Sequence, residues 1–171
     1  MGGDQAGFEA FVDREYHRLV RALGLYCGDL DVAEELAQDA FARAYQRWGR
    51  VGRYDRPDAW VHRVAFNLAR SWFRRRYAER RAYARHGPVP DRLDAPEATD
   101  TVAVRAAVLA LPDRQREAIV HRYFLGRSVA ETAEVLGVSD GAVKAATFKA
   151  IHNLRDELGS VLDTDEEVER A

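Results

Sequence analysis

The chain has 171 residues, 47% of them apolar and 32% charged, with a formal net charge of −2. That is enough chain for one large or two small soluble domains, and too little apolar sequence in any single run (about 18 residues are needed) to span a membrane. The lone cysteine, Cys27, excludes an internal disulfide, and the scattered His17, His62, His86, His121 and His152 give no metal-ligand spacing, so no cofactor is expected.

The charge is unevenly placed. Residues 1–42 sum to about −6, 43–85 to about +10, 86–112 to about −2, 113–158 to about zero and 159–171 to about −4. Lys144 and Lys149 are the only lysines; the rest of the basic charge is arginine, whose fork suits phosphates and base edges. A concentrated basic segment points to one anionic partner met by one face. The start, Met-Gly-Gly-Asp-Gln, lacks the pattern of a signal peptide, so the expected location is the cytoplasm.

In chain order, Phe8, Phe11, Val12, Leu19, Leu23 and Tyr26 recur at helical spacing and predict a helix over 8–27, stopped by Gly28. Asp31 and Glu34 have the spacing of a capping box for a second helix. Its apolar set is Val32, Leu36, Ala40, Ala44 and Trp48, widened by Phe41 and Tyr45, and Gly49 and Gly52 end it. Asp29, Asp31, Glu34, Glu35 and Asp39 make its first half acidic.

Pro57 and Asp58 suit the first turn of a third helix, which closes in Trp72-Phe73-Arg74-Arg75-Arg76-Tyr77. On its wheel Val61, Val64, Ala65, Leu68 and Trp72 form the expected core face. Arg56, Arg63, Asn67, Arg70 and Arg74 share a narrow opposite arc bordered by Trp60 and Ser71. The plain reading of that arc is a solvated face. The flanking aromatics favour a surface that binds a polynucleotide, although Trp60, Phe66, Phe73 and Tyr77 are as well suited to packing as to stacking on bases.

Residues 86–100 hold three prolines and read as a linker. Beyond it, one helix through Val102, Ala106 and Leu109 ends at Pro112, and another covers 113–124. Val129, Ala133 and Leu136 then form a stripe, Gly137 allows a tight turn, Val138 can plug its angle and Ser139 can cap a helix over 140–158. That helix should bury Val143, Ala150, Ile151, Leu154 and Leu158 and expose Ala142, Lys144, Ala145, Phe148, Lys149 and His152. The pattern is a helix-turn-helix. The acidic end, 159–171, reads as a frayed tail. The fold class is all-α: domains at 1–85 and 101–160, a proline-containing linker at 86–100, and an acidic tail at 161–171.

No carboxylate pairs with a His or Cys in a catalytic motif and no glycine-rich phosphate loop occurs, so the chain is not expected to be an enzyme. Two functions stay open on the residues alone. One is a two-partner factor that meets a basic protein surface through the acidic helix and nucleic acid through the arginines. The other is a stand-alone helix-turn-helix regulator with a helical sensing or dimerisation domain. A plain adaptor leaves the arginine arc unexplained.

Taken together, Val32 to Phe41, Asp58 to Arg70 with the arginine run, Leu111 to Glu117 and Ala130 to Lys144 resemble the RNA polymerase sigma factors of the extracytoplasmic-function (ECF) class. Within it the chain looks most like a sigma-E-like group of actinobacteria. The resemblance spans about residues 8–158 and rests on the order and spacing of the motifs. It implies a region 2 helical bundle and a region 4 helix-turn-helix, with core RNA polymerase and promoter DNA as partners and room for an anti-sigma factor. Asp31, Glu34, Glu35, Gln38 and Asp39 would meet polymerase. Trp60, Arg63, Asn67, Arg70, Ser71, Arg74, Arg75 and Arg76 would handle the −10 element. Ser139, Asp140, Gly141, Ala142, Lys144, Ala145, Phe148 and Lys149 would face the −35 element. The chain departs from the family pattern at Ala146 and Phe148, where polar or basic residues are usual, and at Phe73, which stands where the family's tryptophan does.

Overall fold

The computed structural model describes residues 2–83 and 99–169, with side chains over 5–79 and 102–159. Every described element is helical. The chain divides into two compact units, Met1–Leu93 and Asp94–Ala171. Residues 84–98, most of the expected linker, lie outside the described residues, and Thr99 and Asp100 already belong to a helix.

The first unit is built from α1 (Gly2–Cys27), α2 (Leu30–Tyr45), a single turn α3 (Trp48–Val51) and α4 (Pro57–Tyr83). α1 starts six residues earlier than its apolar pattern, and Gly28 leaves it with φ +78°, a left-handed value that suits glycine. The cap of α2 is Asp29 rather than Asp31: Asp29 Oδ1 accepts from the Val32 N–H at 3.1 Å. Two carboxylates stood within reach of the helix start, and the one directly after the left-handed glycine takes the extended conformation that a cap needs (φ −140°, ψ 121°). α2 ends at Tyr45 rather than at the glycines, and Trp48 opens α3 instead of extending the α2 stripe. There it packs against Phe8 and Phe11, with ring centroids 5.1 and 5.0 Å apart.

The core of this unit is Phe11, Leu19, Leu23 and Tyr26 from α1, Leu36, Ala37, Ala40 and Phe41 from α2, and Val61, Ala65, Phe66 and Ala69 from α4. The expected face of α4 is corrected here. Ala59, His62, Phe66 and Ala69 are buried with Val61 and Ala65, while Val64, Leu68 and Trp72 are only half-buried. At 100° per residue the buried face is turned by about 90° from the one the apolar pattern marks. The cause is Phe66, fully buried, whose ring lies 5.3 Å from the Tyr26 ring. Burying a large aromatic against a second one outweighs the smaller gain from Val64. Trp72, expected in the core, sits at its edge against Phe73, ring centroids 4.9 Å apart.

The second unit holds α5 (Thr99–Ala110), α6 (Asp113–Ile119), a π-helical turn (Val120–Phe124), α7 (Val129–Leu136) and α8 (Asp140–Glu169). α5 buries Ala107 and Val108 and leaves Val102 and Ala106 exposed, so its stripe differs from the expected one. The single helix expected over 113–124 widens into a π turn, closed by the Leu125 N–H donating to the Val120 carbonyl at 2.9 Å. Beneath it a buried polar cluster forms. Arg127 Nη1 lies 2.8 Å from His121 Nδ1, Arg122 Nη1 donates to the Arg127 carbonyl, and Arg116 Nη2 donates to the Leu111 carbonyl at 3.0 Å. Arg116 and Arg122 thus supply donors to two carbonyls outside the helix, that of Leu111 before α6 and that of Arg127 before α7.

α7 opens with a full capping box. The Glu131 N–H donates to Ser128 Oγ at 3.1 Å, and the Ser128 N–H donates to Glu131 Oε2 at 2.7 Å. It closes on Gly137 at φ 67°, ψ 40°. The Val138 N–H reaches back to the Ala133 carbonyl at 3.0 Å, while its side chain, expected to plug the angle, is 40% exposed. Ser139 Oγ then accepts from the Ala142 N–H at 3.2 Å and starts α8. α8 does not stop at 158: it continues as helix to Glu169 through the segment read as a frayed tail.

A non-glycine residue in the conformation of Gly137 costs about 1–2 kcal/mol. Gly137→Ala should therefore lower the melting temperature of the second unit, within the full chain, by about 5–15 °C, followed by circular dichroism. Gly141→Ala is the control. Gly141 is an exposed helical position where a Cβ meets nothing nearer than Ser139 Oγ at 3.9 Å, so stability should hold or rise slightly.

Candidate functional site

Three exposed surfaces carry the candidate residues. The first is on α2. Asp31, Glu34, Glu35, Gln38 and Asp39 are all exposed, because Ala33, Leu36, Ala37, Ala40 and Phe41 take the buried side. Ala42 and Tyr45 are exposed as well, Tyr45 at 56%. On the wheel all seven fall within about 140°. The sequence pattern grouped Tyr45 with the apolar face; the fold instead sets it beside the acidic residues. Its spacing, three from Ala42 and seven from Gln38, is the signal that places it there.

The second surface is on α4. Arg63, Asn67 and Arg74 are exposed, and Trp60, Arg70 and Ser71 are half-buried. The arc lies within about 60° and stays clear of the buried face even after that face is turned. Arg70 Nη1 donates to Asn67 Oδ1 at 3.0 Å, and Arg74 Nη2 donates to Ser71 Oγ at 3.0 Å. Each bond ties a guanidinium to the turn before it and narrows its rotamers. Arg56 is held at 3.5 Å from the Asp58 carboxylate. Arg75 is exposed but off the arc, and Arg76 is on the far side, its guanidinium 4.9 Å from the Trp72 ring centroid. The arginine run is thus one cationic arc plus one stacking pair, not one continuous patch. Of the flanking aromatics, Phe66 is buried and unavailable to a base, whereas Tyr77 is 65% exposed.

The third surface is the start of α8. Ser139, Asp140, Gly141, Ala142, Lys144, Ala145, Phe148 and Lys149 are all exposed, and Val143 and Ala150 are buried. Gly141, Ala145 and Phe148 line up within about 60° opposite the buried side. Phe148 is 75% exposed, the outward placement expected from its position on the helix. Asn153 Nδ2 donates to Gln115 Oε1 at 2.8 Å and fixes α8 against α6. A helix with a smooth floor of small residues, flanking lysines and a rigid capped turn before it has the form of a major-groove reader.

Chemically, the first surface presents carboxylates, the second guanidinium forks of the kind that suit phosphates and base edges, and the third a capped helix start with two lysines. None of the described helices is long and apolar enough to cross a membrane.

Comparison with known proteins gives a consistent result. Residues 11–79 match the family model for Sigma-70 region 2, and residues 101–154 match that for Sigma-70, region 4. The RNA polymerase sigma-E factor of Streptomyces coelicolor is 32% identical over 162 residues, covering 91% of this chain and 88% of that protein. The ECF RNA polymerase sigma factor SigM of Mycobacterium tuberculosis (strain H37Rv) is 33% identical over 161 residues, covering 93% and 81%. Among solved structures, the sigma factor RpoE from Bartonella quintana, in complex with the anti-sigma factor NepR, shares the fold with a TM-score of 0.76 at 23% identity, covering 89% of this chain and 96% of that one. CnrH, in complex with the cytosolic domain of CnrY, gives 0.65 at 27% identity, covering 96% and 92%.

Proposed function

The chain belongs to the sigma-70 family of RNA polymerase sigma factors, in its ECF class, and from that premise we propose how its surfaces divide the work of initiation. It is an initiation subunit rather than an enzyme: it binds core RNA polymerase and directs it to promoters. We assign the polymerase contact to Asp31, Glu34, Glu35, Gln38 and Asp39 on α2. Trp60, Arg63, Asn67, Arg70, Ser71 and Arg74 take the −10 element, with exposed Arg75 adding charge beside them; Arg76, expected among them, instead stacks on Trp72 on the far side of the helix. Ser139 to Ala142, Lys144, Ala145, Phe148 and Lys149 take the −35 element. The work is done in the cytoplasm.

The observation that supports the reading best lies within the first unit. One helix exposes carboxylates and another exposes arginines already anchored to their own helix. Charge-assisted bonds to a basic protein come from the first. The second holds the strand backbone while bases are unstacked, a step costing a few kcal/mol. In the second unit, Lys144, Lys149 and the capped start of α8 fix phosphates around the groove. A chain of the same fold was solved with an anti-sigma factor, and such a regulator is among the partners to be sought.

Reconstitution tests the reading. Purified chain added to core polymerase should give holoenzyme and defined transcription starts from genomic fragments, with one promoter class enriched among them. Absence of both a complex and a start site would refute it.

A further inference from the structure

The second unit buries a charged cluster that none of the three surfaces uses: Arg116, Glu117, His121 and Arg127. Arg127 is tied to the π turn three times. Its N–H donates to the His121 carbonyl at 3.0 Å, its carbonyl accepts from Arg122 Nη1, and its own Nη1 lies 2.8 Å from His121 Nδ1. The next residue is Ser128, the cap of α7. Arg127 therefore holds the start of the helix-turn-helix against the π turn.

The side-chain bond sets a protonation state. A guanidinium has donors and no acceptor, so Nδ1 offers its lone pair and the imidazole is neutral, with its hydrogen on Nε2. A further proton would sit on Nδ1, face a donor and place two cations together away from water. The other charged groups around His121 come from three elements. α6 contributes Glu117, Arg116 and, at the edge, Asp113, which lies 3.7 Å from Arg116. The π turn adds Arg122, its Tyr123 being exposed. On α7, Thr132 is buried, Glu131 is engaged in the capping box and Glu134 is exposed. α8 buries Val143 and Ala150, which do not titrate. Glu117 favours an imidazolium, and Arg127, in contact with the ring, opposes it.

We infer that His121 and Arg127 form an acid-sensitive latch on the helix-turn-helix, closed while His121 is neutral and released when acid protonates it. Its bearing on transcription rests on the −35 reading above, whereas the latch itself is measured without DNA. An imidazole in water titrates at about 6.5. Closed, His121 takes no proton; open, it takes one below that pH, so falling pH draws the equilibrium toward the open form. From about pH 7.5 to about pH 5.5 the ratio of closed to open should fall about 10-fold.

Amide hydrogen exchange of the full chain, corrected for the intrinsic rate, reads that ratio at the Arg127 N–H. Its protection should drop about 10-fold over this range. His121→Asn keeps an acceptor near the Nδ1 position and does not titrate, so protection at position 127 should stay level. If circular dichroism shows that variant unfolded, the double variant His121→Leu with Arg127→Leu takes its place, and level protection is again expected. A wild-type amide whose protection holds at acid pH would overturn the latch. So would an equal fall in the variant, which would assign the titration to Glu117. Nitrogen chemical shifts of the His121 ring supply a second readout: a neutral ring in the folded chain at about pH 5.5 supports the latch, and an imidazolium there ends it. A latch that passes while holoenzyme fails to protect −35 DNA would refute the promoter reading alone.

Discussion

A chain carrying Glu34→Lys and Gln38→Lys should fold normally and bind core polymerase roughly 30- to 1000-fold more weakly. The fold is spared because both side chains are exposed and lysine suits a helix about as well as glutamate or glutamine. The Asp29 cap, which starts the helix, is untouched. The loss is large because the change does more than delete contacts. It sets two cations against a basic partner, and like charges brought together at an interface cost several kcal/mol. Competition against the unaltered chain measures it, and raising the salt should shrink the difference as the repulsion is screened. Equal affinity at low salt would remove these residues from the contact.

Replacing Arg63, Arg70 and Arg74 together with alanine should leave polymerase binding intact and reduce promoter opening about 100- to 1000-fold. The three lie on one arc and at least two are already oriented, Arg70 by Asn67 and Arg74 by Ser71. Orientation before contact cuts the entropy lost on binding, so these guanidiniums are worth more than freely moving surface charges. Each phosphate contact removed should flatten the salt dependence of binding by roughly 0.7 per contact on single strands, giving a drop of about two in the logarithmic slope. Permanganate reactivity of unpaired thymines reads the opening directly. Arg21→Ala on α1, also exposed, is the matched control. An unchanged slope in the triple variant would detach the arc from the nucleic acid.

The features legible in the sequence were those set by neighbouring residues. Gly137 and Ser139 specify the turn of the helix-turn-helix because a left-handed glycine and a capping hydroxyl are local requirements. The acidic and arginine arcs were legible because charged side chains keep to the exposed side of almost any packing. What could not be read was phase. Periodicity gives the pitch of α4 but not which side meets α1, and that was settled by Tyr26, some forty residues away, accepting Phe66. The same blindness placed Trp72 inside and Tyr45 on the apolar face. The π turn at Val120 is marked by one shifted hydrogen bond, the Leu125 N–H on the Val120 carbonyl, with the backbone N–H of Arg127 on the His121 carbonyl beside it. No spacing rule announces such a turn.

The unbroken run of α8 to Glu169 has a mechanical consequence. At about 1.5 Å per residue it is a rod of roughly 45 Å, with Lys144 and Lys149 toward one end and Asp163, Asp165, Glu166, Glu167 and Glu169 toward the other. Lys149 and Asp163 stand about 21 Å apart along the axis, more than two screening lengths at physiological salt, so the ends do not cancel. Should α8 meet a polyanion, the field would attract the lysine end and repel the carboxylate end, and the approach of this one continuous helix would then have a preferred direction.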